Sequence, residues 1–129
     1  MARYTGRCLC GQITYRIESE DLPDGLTVCH CRQCAHWSGG PVPFAICRQS
    51  EITVEGTVTW FQSSADVRRG FCATCGASLF WQAEPGNRIY VTAGSLDAAA
   101  GLAVAEHIWV ASRPDWDEIG GTAPQRSGE

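Results

Sequence analysis

The sequence contains no lysine and only one methionine, and it has no uninterrupted apolar run of the roughly 20 residues that a membrane-crossing helix requires. Its ten basic residues are therefore all arginine. Against 14 acidic residues they leave a formal charge of −4 and no basic stripe, which argues against nucleic acid as a partner. The first residues, Met-Ala-Arg-Tyr-Thr-Gly-Arg, lead into no apolar segment of a secretory signal, so a cytoplasmic location is expected, with no membrane association. Helical periodicity is scarce as well.

Short β-branched and aromatic runs between turn signals are frequent. They predict strands over residues 11–18, 42–46, 52–55, 57–62, 78–82, 88–93 and 107–111, and hence an all-β fold. Turns are expected at Asp21-Leu22-Pro23-Asp24-Gly25, at Gly39-Gly40-Pro41, at a hairpin on Glu55-Gly56, and at Glu84-Pro85-Gly86-Asn87. The alanine-rich residues 97–105 suggest a short helical turn. A chain of 129 residues forms one domain, placed here at 1–118, and the polar residues 119–129 read as a flexible tail.

Eight cysteines in such a chain are abundant, and in a reducing compartment they read as metal ligands rather than disulfides. Seven fall into three groups: Cys8 and Cys10, then Cys29, Cys31 and Cys34, then Cys72 and Cys75. The first and third groups each end in a glycine, Gly11 and Gly76, where a tight turn can aim backbone N–H groups at sulfur. That shared feature pairs Cys8 and Cys10 with Cys72 and Cys75 as one closed, structural four-thiolate zinc site. A bridge between Cys8 and Cys10 would be strained by so short a separation.

The middle group gathers three thiols within six residues and has no second loop to pair with. Three protein ligands with a free fourth position is the pattern of a catalytic zinc, and three thiolates favour one more soft ligand such as a thiol. Cys47, His30, His36 or His107 can alternatively close the site and make it purely structural. Cys47, alone in an apolar run, reads more naturally as a buried hydrophobe, and His30 as a neighbour of the ligands rather than one of them. Arg32 and Arg69, the cations nearest these groups in sequence, are candidates for binding a carboxylate of the thiol. Trp37, Phe44 and Trp109 can wall a pocket, although aromatics at strand spacing more often pack a core.

The ordered set Cys8-Leu9-Cys10-Gly11, Cys29-His30-Cys31-Arg32-Gln33-Cys34 and Phe71-Cys72-Ala73-Thr74-Cys75-Gly76 resembles the glutathione-dependent formaldehyde-activating enzyme family, which includes centromere protein V. Ala93-Gly94-Ser95-Leu96-Asp97, Glu106-His107-Ile108 and Pro114-Asp115-Trp116 are also similar to its patterns. The resemblance implies a β-tent fold of packed antiparallel sheets. It also implies a structural zinc on Cys8, Cys10, Cys72 and Cys75 and a catalytic zinc on Cys29, Cys31 and Cys34. The implied activity is that of a carbon–sulfur lyase: a zinc-bound low-molecular-weight thiol, glutathione, adds to a small aldehyde such as formaldehyde, or the reverse. A non-catalytic thiol carrier and a structural zinc-binding module are the alternatives. Ala35 and the aromatic pair His36-Trp37 depart from the family pattern beside the middle cysteines, so the substrate pocket is expected to differ.

Overall fold

The computed structural model describes residues 2–20, 25–98 and 101–129. In chain order the strands are β1 (Ala2–Arg7), β2 (Thr14–Ser19), β3 (Gly25–Cys29), β4 (Val42–Arg48), β5 (Ile52–Glu55), β6 (Thr59–Ser64), β7 (Val67–Phe71), β8 (Ser78–Ala83), β9 (Arg88–Thr92) and β10 (Ala103–Ile108). One helix, α1 (Arg32–Ser38), lies between β3 and β4. The protein is thus mainly β, with a three-stranded sheet β1-β2-β5 and a seven-stranded sheet β10-β3-β4-β9-β8-β7-β6.

Period-2 alternation orients the first sheet. In β2, Tyr15, Ile17 and Ser19 are buried while Thr14 and Arg16 are exposed, so one face packs and the other is solvated. The packed face meets Leu79, Phe80, Ile89 and Val91 of the larger sheet, with the Tyr15 and Phe80 rings edge-to-face at 5.6 Å. Cys8, Cys47 and Cys72 belong to this core. A smaller core joins Cys29, Cys34, Val42 and Phe44, with Trp37, Trp81, Tyr90 and Ile108 packed against it. Each cysteine group therefore has its own hydrophobic surroundings.

Three strands and the helix lie where no strand or helix was expected, each for a physical reason. β1 is a polar edge strand, and β3 is short. β7 carries two adjacent arginines, whose charge hides a sheet position. Arg68 escapes burial by lying over the Trp60 ring, 3.9 Å from its centroid, and bonding Gln82 Oε1 at 2.7 and 2.9 Å. Helix α1 has seven residues, too few for a periodic signal, and it ends on Gly39 in the left-handed conformation.

Glu55-Gly56 is a turn without a hairpin, because β5 pairs with β2 and β6 pairs with β7. The expected strand over 107–111 is displaced: β10 ends at Ile108, and Val110–Ser112 is a short 3-10 turn. Residues 21–24 of the first expected turn lie outside the described residues. So do 99–100 of the expected helical turn, the end of which belongs to β10.

All strand pairs are antiparallel except β10 with β3, which run parallel with His107 opposite Val28 and Ile108 opposite Cys29. The segment read as a flexible tail lies along β10. His107 N–H donates to Pro124 O and Arg126 N–H to His107 O, both at 2.8 Å. Main-chain hydrogen bonding, which no side-chain pattern announces, places it there. No helix is long and apolar enough to cross a membrane among the described residues.

Candidate metal centres

The loops bearing Cys8–Cys10 and Cys72–Cys75 repeat one backbone design. Cys8 N–H donates to Ile13 O at 3.0 Å and Gly11 N–H to Cys8 O at 3.2 Å; Cys72 N–H donates to Ala77 O at 3.1 Å and Gly76 N–H to Cys72 O at 2.7 Å. Gly11 and Gly76 take φ values of 81° and 78°, a region that L side chains rarely adopt. The two loops face each other, and their four sulfurs all lie within 4.8 Å of one another. The Cys8–Cys10 and Cys10–Cys72 Sγ separations are 3.6 and 3.8 Å. A tetrahedral ion with metal–sulfur bonds of about 2.3 Å sets sulfurs about 3.8 Å apart, so the donor set fits four-thiolate coordination. Backbone N–H groups favour the thiolate form: Ile13 N–H reaches Cys8 Sγ at 3.3 Å, and those of Cys10 and Ala77 hold Cys75 down to about 6.

The second group is local. Cys29 ends β3, Cys31 is the N-cap of α1, and Cys34 is the buried residue of that helix. The three sulfurs also lie within 4.8 Å of one another. Cys31 Sγ accepts the Cys34 N–H at 3.3 Å. Hydrogen bonds from the Cys29 and Cys34 thiols, then that N–H and the charge of Arg69, pull Cys31 down to about 2. Bonding to Cys31 and Cys34, followed by burial, pushes the Cys29 thiol up.

None of Cys47, His30, His36 or His107 joins this group among the described residues. Cys47 packs in the first core, where burial and then Glu51 push its thiol up to about 12. His36 is exposed.

A cavity of about 640 Å³ opens over Cys29, Cys31 and Cys34. Phe44, Trp81, Tyr90 and Ile108 supply apolar wall, and Arg32 and Arg69 are also at its lining. Arg32 is exposed, whereas Arg69 is only 3% exposed. Arg69 Nη1 donates to Cys34 Sγ and Nη2 to Gln33 Oε1, each at 3.5 Å, while its buried Nε has no hydrogen-bond partner. A buried guanidinium against three thiols offsets the negative charge that thiolates would gather there. Trp109 lines the cavity, while Trp37 stands behind Phe44, its ring stacked on the phenyl at 6.5 Å.

His30 turns away from the sulfurs flanking it. Its Nδ1 meets Asp117 Oδ2 at 2.6 Å and its Nε2 meets His107 Nδ1 at 2.9 Å, and all three residues are buried. This chain anchors the loop between Cys29 and Cys31 to β10 and to the segment after it. Asp117 was not foreseen from the sequence. The only local cue to it was its neighbour, the Pro114-Asp115-Trp116 pattern.

Two cysteine groups of this geometry on a mainly β fold define a protein with two thiol clusters that could each hold a metal ion. The sequence model of the glutathione-dependent formaldehyde-activating enzyme family matches residues 3–112, and the chain belongs to that family. A protein of Schizosaccharomyces pombe described as an uncharacterized lyase is 26% identical over 117 residues, covering 89% of this chain and 84% of its own. The crystal structure of a Rhodobacter sphaeroides protein shares the fold, with a TM-score of 0.63 at 22% identity, over 94% of this chain and 98% of that one. Family and relative together support a lyase-like enzyme.

Proposed function

We propose that the protein is a zinc-dependent carbon–sulfur lyase that adds a low-molecular-weight thiol, typically glutathione, to a small aldehyde such as formaldehyde, or runs the reverse reaction. The observation carrying this reading is that Cys29, Cys31 and Cys34 converge at a cavity wall with no fourth protein ligand among the described residues. Zinc held there would supply the positive charge that keeps an incoming thiol deprotonated at neutral pH. The four-cysteine group would hold a second, purely structural zinc.

The chain's own residues do the rest. Phe44, Trp81 and Tyr90 present an apolar wall, which strengthens the charge interactions made beside it. Arg69 balances the thiolates from below, and the Asp117–His30–His107 chain fixes the loop that aims Cys29 and Cys31. Arg32, at the open lining, is placed to meet a carboxylate of the thiol. In the addition, the thiol gives up its proton and its sulfur bonds to the carbonyl carbon. The C=O π pair moves to oxygen, which takes up one proton, so the product is the S-hydroxyalkyl thioether. Breaking that C–S bond restores both reactants.

Two measurements on the purified protein test this reading: a metal count, and the rate of the glutathione–formaldehyde reaction relative to its uncatalysed rate. Near two zinc per chain and a clear acceleration are expected. Glutathione binding with no acceleration would make the protein a carrier, and one tightly held zinc with no thiol binding would make it a structural module.

A further inference from the structure

The cavity over Cys29, Cys31 and Cys34 is completed by residues beyond the family match, which ends at 112. Residues 124–129 run beside β10 and bring Arg126 and Glu129 to the cavity lining. Trp109 N–H donates to Gly128 O at 2.8 Å and Val110 N–H to Arg126 O at 3.0 Å. These bonds hold Trp109 in a left-handed conformation, φ 57° and ψ 33°, that a bulky side chain rarely adopts. Its ring lies against Gly128, where an added Cβ would be 3.9 Å from Cζ3. On the same wall Arg126 Nε is 2.9 Å from Glu106 Oε1, and Glu106 Oε2 accepts the Thr27 hydroxyl at 3.2 Å.

We propose that this segment forms part of the substrate site and that the Arg126–Glu106 pair recognises the amino-acid end of the thiol, Arg126 taking its carboxylate and Glu106 its ammonium. The inference rests on the reading that a thiol enters this cavity, and it assigns the residues that select among thiols. Adjacent charges of opposite sign on one wall are the complement of a zwitterion. Arg126 is the more open member, its side chain 61% exposed, and a pair so exposed holds weakly to its own partner. Exchanging that partner for a substrate charge therefore costs little. The buried sulfurs receive the thiol, and the exposed wall receives the charged end. Arg32 remains for a second carboxylate. Thiols without an amino-acid end have nothing to exchange with the pair.

The test is isothermal titration of the metal-loaded protein with S-methylglutathione, whose blocked sulfur cannot add to an aldehyde, alongside its des-amino counterpart. The wild type is expected to bind S-methylglutathione about tenfold more tightly than the des-amino form. Arg126→Gln and Glu106→Gln are each expected to weaken that binding about tenfold while keeping the wild-type metal content. Equal affinity in wild type and variants, or no binding by the wild type, would overturn the proposal. Binding of this pattern in a protein that accelerates no aldehyde addition overturns the proposed activity and leaves the recognition standing.

Discussion

The two cysteine groups share one local measure, sulfurs within 4.8 Å of one another, and differ in what surrounds them. The four-cysteine group joins loops 62 positions apart in sequence, Cys10 meeting Cys72 at 3.8 Å, with Cys8 and Cys72 buried at the edge of the core of Ile13, Tyr15 and Leu79 and Cys10 exposed. The three-cysteine group draws all its sulfurs from one strand end and one helix, beside a cavity. Closing a loop of 62 positions removes about 2 kcal/mol more chain entropy than closing one of a few residues, so a metal would contribute more to folding in the first case.

The strongest way to break this comparison is to remove one ligand from each group. Structural zinc contributes about 10–16 kcal/mol in small domains, which rivals the roughly 5–15 kcal/mol of net stability a domain possesses. Cys72→Ser is therefore expected to lose near-ultraviolet circular dichroism and soluble yield. Cys31→Ser is expected to stay folded with one metal fewer. Equal unfolding in both would erase the distinction.

A smaller effect sharpens the description of the open site. His30→Gln removes the imidazole that Asp117 meets at 2.6 Å and leaves a buried carboxylate poorly matched, a loss of about 3 kcal/mol by thermal denaturation. The same cluster carries a pH dependence. Burial, then the neighbouring His30, lowers the His107 pKa, so the folded state resists a proton that the unfolded chain accepts. That stability is present above about pH 6.5 and is lost as pH falls below it, which denaturant midpoints between pH 5 and 8 would reveal. A flat profile would show that His107 contributes nothing.

The smallest change is expected at Cys47. Its thiol is buried in the first core and raised to about 12, so it should resist iodoacetamide at pH 8 in the native protein. Cys47→Ala should cost about 1 kcal/mol and leave the metal count unaltered. A lost metal would make it a ligand and close the open site.

Local spacing made the cysteine groups legible, because a metal-binding loop is written in four to six consecutive residues. Tyr15, Ile17 and their neighbours likewise announced β2 as a β-branched and aromatic run. What stayed hidden depends on separation. His30 finds His107 across 77 positions and Asp117 across 87, and no pattern within a short window encodes either meeting. The same holds for the parallel pairing of β3 with β10 and for Arg126 at the cavity lining. β7 escaped notice for another reason: Arg68 and Arg69 are compatible with a sheet only because Trp60 and Cys34 wait for them.

Arg69 lies three residues before Cys72, on a strand that covers that distance in about 10 Å. A metal held by Cys72 would therefore also fix where the guanidinium falls beside the sulfur of Cys34.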